Sequence, residues 1–114
     1  MRAILIDPME QKVSEIDYSG NYKDIYGIIQ TGTTAPRHFD VVSIPFGNDG
    51  IYIDDEGLYE PMQFMWSFNW HRWREPIKLV NKALVIGRDD NGDAEDSTSG
   101  VEIINHIKWG AWGR

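Results

Sequence analysis

The sequence contains no cysteine. That excludes disulfides, thiolate metal ligands and a cysteine nucleophile, and it accords with a reducing compartment. Long apolar runs are missing too. The run at the N-terminus, Ala3 to Ile6, ends at Asp7-Pro8 and is too short for a signal peptide. Nothing approaches the roughly 20 apolar residues of a membrane-spanning helix. A soluble, cytoplasmic protein with no membrane partner is expected. Basic residues are outnumbered, 11 Lys and Arg against 18 Asp and Glu, for a net charge of −7. Such a chain is repelled by phosphate backbones, which argues against nucleic acid as a partner. Catalytic signatures are also lacking: there is no P-loop, no GxGxxG and no nucleophile elbow. His38, His71 and His106 are scattered without HxxxH or HExxH spacing. No cofactor, metal ligand set or catalytic residue follows from the sequence, and a non-enzymatic role is expected.

What is present is a globular composition. A chain of 114 residues that is 41% hydrophobic and 25% charged makes one domain with one continuous core. Arg2–Asp7 (RAILID) reads as a strand buried on both faces, and Lys12–Tyr18 (KVSEIDY) as its hairpin partner across the turn at Pro8–Gln11. The period then changes. Tyr22, Ile25, Tyr26 and Ile29 share one helical face, with Asn21 as N-cap and Asp24 at the third helical position. Residues 39–46 read as a largely apolar strand and Ile51–Ile53 as its partner, with Gly50 expected to supply the positive φ of the turn between them. Ala83–Ile86 has the composition of a buried strand. Ser99-Gly100-Val101-Glu102 resembles a capping box that opens a helix running to about Trp109, and residues 109–114 read as a tail. Hairpins linking most strands predict an α+β single domain with a mainly antiparallel sheet and two or three helices.

The opening MRAILIDPMEQKVSEIDY, the segment YKDIYGII, the hairpin ending IYIDDEGL and the stretch KALVIGRDDNGD follow one another over roughly residues 2–93. In that order and spacing they resemble a family of small phage and mobile-element proteins catalogued as a domain of unknown function. The resemblance implies a phage or integrated element expressed in a bacterial cytoplasm. It implies a short helix after the Asp-Glu-Gly-Leu turn, leading into the last strand. It assigns no activity and no site residues. This chain departs from the family in its tryptophans at 66–73 and in the ending HIKWGAWGR.

The tryptophans form the main candidate site. Residues 64–74 read FMWSFNWHRWR between Pro61 and Pro76. As a helix, the reading the two prolines favour, Met62, Trp66, Trp70 and Trp73 share a face. As a strand, Phe64, Trp66, Phe68 and Trp70 alternate with Ser67, Asn69 and His71. Either way one face is apolar enough to be core. Five tryptophans in the chain are more than such a core absorbs, and Trp, Tyr and Arg are the residues enriched in binding hot spots. Trp66, Trp70, His71, Arg72, Trp73, Arg74, Trp109 and Trp112 are therefore the candidate partner-binding residues.

Two acidic stretches have plainer readings. In Asp89–Asp96 (DDNGDAED) an EF-hand register fails, because placing Gly92 at the sixth position puts Gly87 at the first and Thr98 at the twelfth. Asp54-Asp55-Glu56 reads as turn chemistry with solvated side chains. The expected function is binding: a host or rival protein is engaged by the aromatic segment and modulated or inhibited. A nucleotide-type small ligand stacked on the aromatics near Arg72, Arg74 or Lys78 is the alternative, and an acidic DNA mimic using the carboxylates of residues 49–60 and 89–96 is a third. A homodimer through the aromatic patch is also open.

Overall fold

The computed structural model describes residues 1–30, 41–54 and 64–110. It is mainly β, and every strand pair in it is antiparallel. The large sheet contains β1 (Arg2–Asp7), β2 (Lys12–Asp17), β3 (Val41–Phe46), β4 (Asp49–Asp54) and β7 (Ala83–Arg88) in the order β2-β1-β7-β4-β3, with the short β8 (Ala94–Glu95) added to β7. The small sheet contains β5 (Met65–Phe68), β6 (Ile77–Val80) and β9 (Ile107–Trp109) in the order β6-β5-β9. Helix α1 spans Tyr22–Ile29.

The centre of the large sheet is covered on both faces, and its sequence says why. β1 and β7 are almost continuously apolar, so both sets of alternating side chains must be buried. Ala3, Leu84 and Ile86 pack with Tyr18, Ile25 and Ile29 on the helix side. Ile4, Ile6, Ala83 and Val85 pack with Trp66, Phe68, Leu79 and Ile103 on the side of the small sheet. The result is three layers: helix, large sheet, small sheet.

The helix forms where its period and cap place it. Asn21 is the N-cap, and its side chain accepts from the Lys23 N–H. Ile25 and Ile29 are buried. Tyr22 was expected on the same face but is 50% exposed. Its ring stands edge-on to Tyr26 at 5.6 Å, and only its hydroxyl reaches the sheet, donating to the Val41 carbonyl of β3 at 3.4 Å.

Four sequence expectations change. The β3–β4 turn is the two-residue loop Gly47-Asn48, and the positive φ belongs to Gly47 (φ +61). Gly50 instead lies in β4 opposite Pro45. Only the first central residue has positive φ, which matches the primed turns that suit a twisted hairpin. The aromatic segment is a strand and a loop, not a helix: β5 is followed by residues 69–76, and Pro76 precedes β6. Trp66 and Trp70 fit both the strand alternation and the helical stripe, and pairing of β5 with β6 and β9 decides for the strand. Finally, Ser99 does not open a capping box. Residues Val101–His106 form a 3₁₀ helix with Gly100 as cap and no side-chain cap bond. The chain then turns into β9, so Trp109 closes a strand where a tail was expected.

Ser99 is diverted because a stronger acceptor lies beside it. Asp49 is fully buried at the start of β4. Its Oδ1 accepts from the Thr98 N–H (2.9 Å) and the Thr98 hydroxyl (3.0 Å). Its Oδ2 accepts from the Ser99 N–H (3.1 Å) and the Ser99 hydroxyl (2.7 Å). A buried carboxylate is tolerated only when satisfied in this way. The interaction ties the Ser97–Ser99 corner to β4, and it also removes Asp49 from any solvent-facing array of carboxylates. Beside it, Gly87 permits a close crossing: a Cβ there would lie 2.2 Å from the Asp96 carbonyl oxygen.

Candidate functional site: the aromatic tip of the small sheet

The loop between β5 and β6, residues 69–76, carries Trp70, His71, Arg72, Trp73 and Arg74. It is held at both ends by the small sheet. Asn69 and His106 clasp each other across the β5–β9 end: the Asn69 N–H donates to the His106 carbonyl (2.9 Å), and His106 Nδ1 lies 2.9 Å from the Asn69 carbonyl oxygen. Because a carbonyl can only accept, Nδ1 carries the proton in this contact. Within the loop, the Trp73 N–H donates to the Trp70 carbonyl (2.9 Å) and closes a turn.

This turn folds the two indoles back onto the core. Trp70 stands edge-on to Phe46 at 5.0 Å, and Trp73 lies 5.6 Å from Phe68 and 6.1 Å from Phe46. The indoles meet each other at 5.7 Å and 83°. His106 stacks on Phe68 at 5.5 Å and 27°. Edge-to-face and stacked rings at these separations add roughly 0.5–1.5 kcal/mol each beyond simple burial, so the tip is a braced aromatic cluster. Trp70 and Trp73 are nevertheless only half-buried. The Arg72 guanidinium sits 5.7 Å over the Trp70 ring, a cation–π contact. His71, Arg72 and Arg74 are exposed, and neither arginine has an ion pair among the described residues.

The candidates thus separate. Trp70, His71, Arg72, Trp73 and Arg74 come together at the tip. Trp66 does not belong with them. It is fully buried, packs 6.4 Å from Phe68, and donates its Nε1–H to the Asn81 carbonyl (2.8 Å). Its position in the middle strand of the small sheet, facing the large one, leaves it no route to solvent. Trp109 pairs directly with Trp66 across β5–β9, is half-buried against the same core, and stands apart from the tip contacts. Trp112 lies outside the described residues, as do Asp55 and Glu56 of the acidic stretch at 54–56.

Phe46 and His106 complete the cluster and were not singled out from the sequence. Phe46 stood at the end of a strand whose role was structural, and His106 sat in a presumed helix with no aromatic neighbour in the chain. Both contacts are long-range. In the acidic loop, Asp89 Oδ1 accepts from the N–H groups of Asn91 and Asp93 (2.9 Å each), so its carboxylate organises its own turn. Among the described residues no three His, Asp or Glu side chains are grouped to hold a metal ion, and no helix is long and apolar enough to cross a membrane. No family model, curated protein or solved structure matches this chain.

Proposed function

We propose that this is a protein-binding module, an accessory protein of a phage or mobile element that attaches to a host or competitor protein and inhibits or modulates it. The observation that carries the reading is the Trp70–Trp73 pair, half-exposed yet braced on Phe46 and Phe68, with Arg72 laid on Trp70 and Arg74 free of ion pairs among the described residues. Anchors held in place before contact lose little rotamer entropy on binding, so more of their burial energy appears as affinity. Binding by the tip acts through occlusion of whatever surface it covers.

The braced geometry disfavours the nucleotide reading. A nucleobase needs a parallel slot or an open ring face, but the two indoles are nearly perpendicular and Arg72 already lies over one face of Trp70. The test is affinity capture of a partner from host lysate with the wild type and with a Trp70→Ala/Trp73→Ala variant, folding of both being checked by circular dichroism. A specific partner retained by the wild type and lost by the folded variant supports the proposal. Equal capture by both sinks it.

A further inference from the structure

The opposite side of the small sheet carries a second feature. In β5, Trp66 and Phe68 are fully buried against the core. Strand side chains alternate between faces, so Ser67 points the other way, outward. Its direct partners on both flanking strands are lysines: Lys78 on β6 and Lys108 on β9. Directly paired residues share a face, so Lys78, Ser67 and Lys108 form one row across the outer surface. Both lysines are exposed, and neither has an ion pair among the described residues. Two residues along, Met65 and Val80 pair on the same face and are half-buried.

The row belongs to a wider segregation of charge. Residues 64–80 and 107–110 carry Arg72, Arg74, Lys78 and Lys108 against Glu75 alone, a net charge of +3 in a chain whose total is −7. The topology gathers these separated segments into one three-stranded sheet.

We propose that the outer face of this sheet is a docking surface for an extended acidic peptide segment of a partner protein, gripped by Lys78 and Lys108 on either side of Ser67. Adjacent strands lie about 4.8 Å apart, which separates the two lysine positions by roughly 9.5 Å. In a polyproline-II segment, residues three apart fall on the same side about 9.3 Å from each other. Two carboxylates at that spacing match the lysine row, and an aliphatic neighbour would rest on Met65 and Val80. Nucleic acid fits less well. Duplex DNA carries a charge about every 1.7 Å of its axis, so it would overrun a row of two lysines onto the acidic remainder of the surface. The aromatic rings of the tip pack toward the core side of the sheet, so this face is separate from the surface assigned to Trp70 and Trp73.

The experiment is fluorescence anisotropy with fluorescein-labelled octaglutamate at low salt. Saturable binding is expected, weakened about tenfold or more by Lys78→Glu/Lys108→Glu, weakened less by Lys78→Gln/Lys108→Gln, and screened by added salt. The Trp70→Ala/Trp73→Ala variant should bind octaglutamate as the wild type does, so failure of the tip proposal and failure of this one read out separately. The glutamine variant carries the test if charge reversal unfolds the protein. The proposal is overturned by absence of binding to the wild type, by unchanged affinity in the lysine variants, or by tighter binding of oligodeoxythymidylate than of octaglutamate.

Discussion

In the large sheet, β1 and β7 spend both of their faces on burial. Ile4, Ile6, Ala83 and Val85 face the small sheet, and Ala3, Leu84 and Ile86 face the helix. In the small sheet, β5 spends one face. Trp66 and Phe68 go inward, Ser67 stays outward between two lysines, and the connecting loop projects Arg72 and Arg74. A strand buried on both sides has no surface with which to meet a partner. A strand buried on one side holds the fold with alternate residues and frees the others. The same aromatic segment therefore divides its tryptophans: the strand takes Trp66 into the core, and the loop keeps Trp70 and Trp73 at the surface.

The contrast between Trp66 and Trp70 gives the largest expected effect. Trp66→Ala removes a fully buried indole and should cost about 3–5 kcal/mol in urea denaturation. Trp70→Ala removes a half-exposed ring and should cost about 1–2 kcal/mol, from lost ring contacts and partial burial. Equal costs would mean that the tip is as much core as Trp66, and the division drawn above would fail.

A smaller effect, of opposite sign, tests whether the helix layer is purely structural. A Cβ at Gly27 would meet nothing within 4 Å, so Gly27→Ala gains helix propensity without a clash. The variant should be more stable by about 0.4–1 kcal/mol, with no change in binding at the tip or at the lysine row. A loss of stability, or a change in either binding activity, would show that the helix side is coupled to the small sheet.

The smallest effect concerns the turn into β9. Glu102 accepts from the Gly100 N–H (2.9 Å). Bonds from its own backbone N–H and from that of Gly100 hold its carboxyl below the ordinary carboxylate value. A depressed folded-state pKa contributes stability that is full above the ordinary carboxylate value and is lost as pH falls through the lowered one. Glu102→Gln should therefore give a slightly shallower acid decline of Tm than the wild type. Parallel melting curves across that range would assign the contact no energetic role. Because the side chain is fully exposed, the difference will be small and screened by salt.

Legibility followed the range of the interactions. Asn21 and the Ile25/Ile29 spacing specify α1 within eight residues, and that element forms where its period and cap place it. The continuous apolar runs of β1 and β7 likewise announced double burial. The capping-box reading at Ser99 failed because a residue 50 positions away, Asp49, takes both the hydroxyl and the N–H of Ser99. The helix reading of the aromatic segment failed because pairing with β6 and β9 outweighs the punctuation of two prolines. At the site, the tryptophan–arginine interleaving was visible in the chain. The bracing by Phe46 and His106, the burial of Trp66 and the lysine row were not.

By itself, the sequence determined the alternation and composition that make apolar strands, the capped helix, and a chain without cysteine chemistry. These depend on neighbours within a few residues, where propensity and periodicity act. Only the tertiary structure decided which tryptophans are core, which partner Ser99 chooses, and that cations from two separated strands and a loop converge on one small sheet. Each of these is set by contacts between residues far apart in the chain, and such contacts exist only once the sheets have paired and packed.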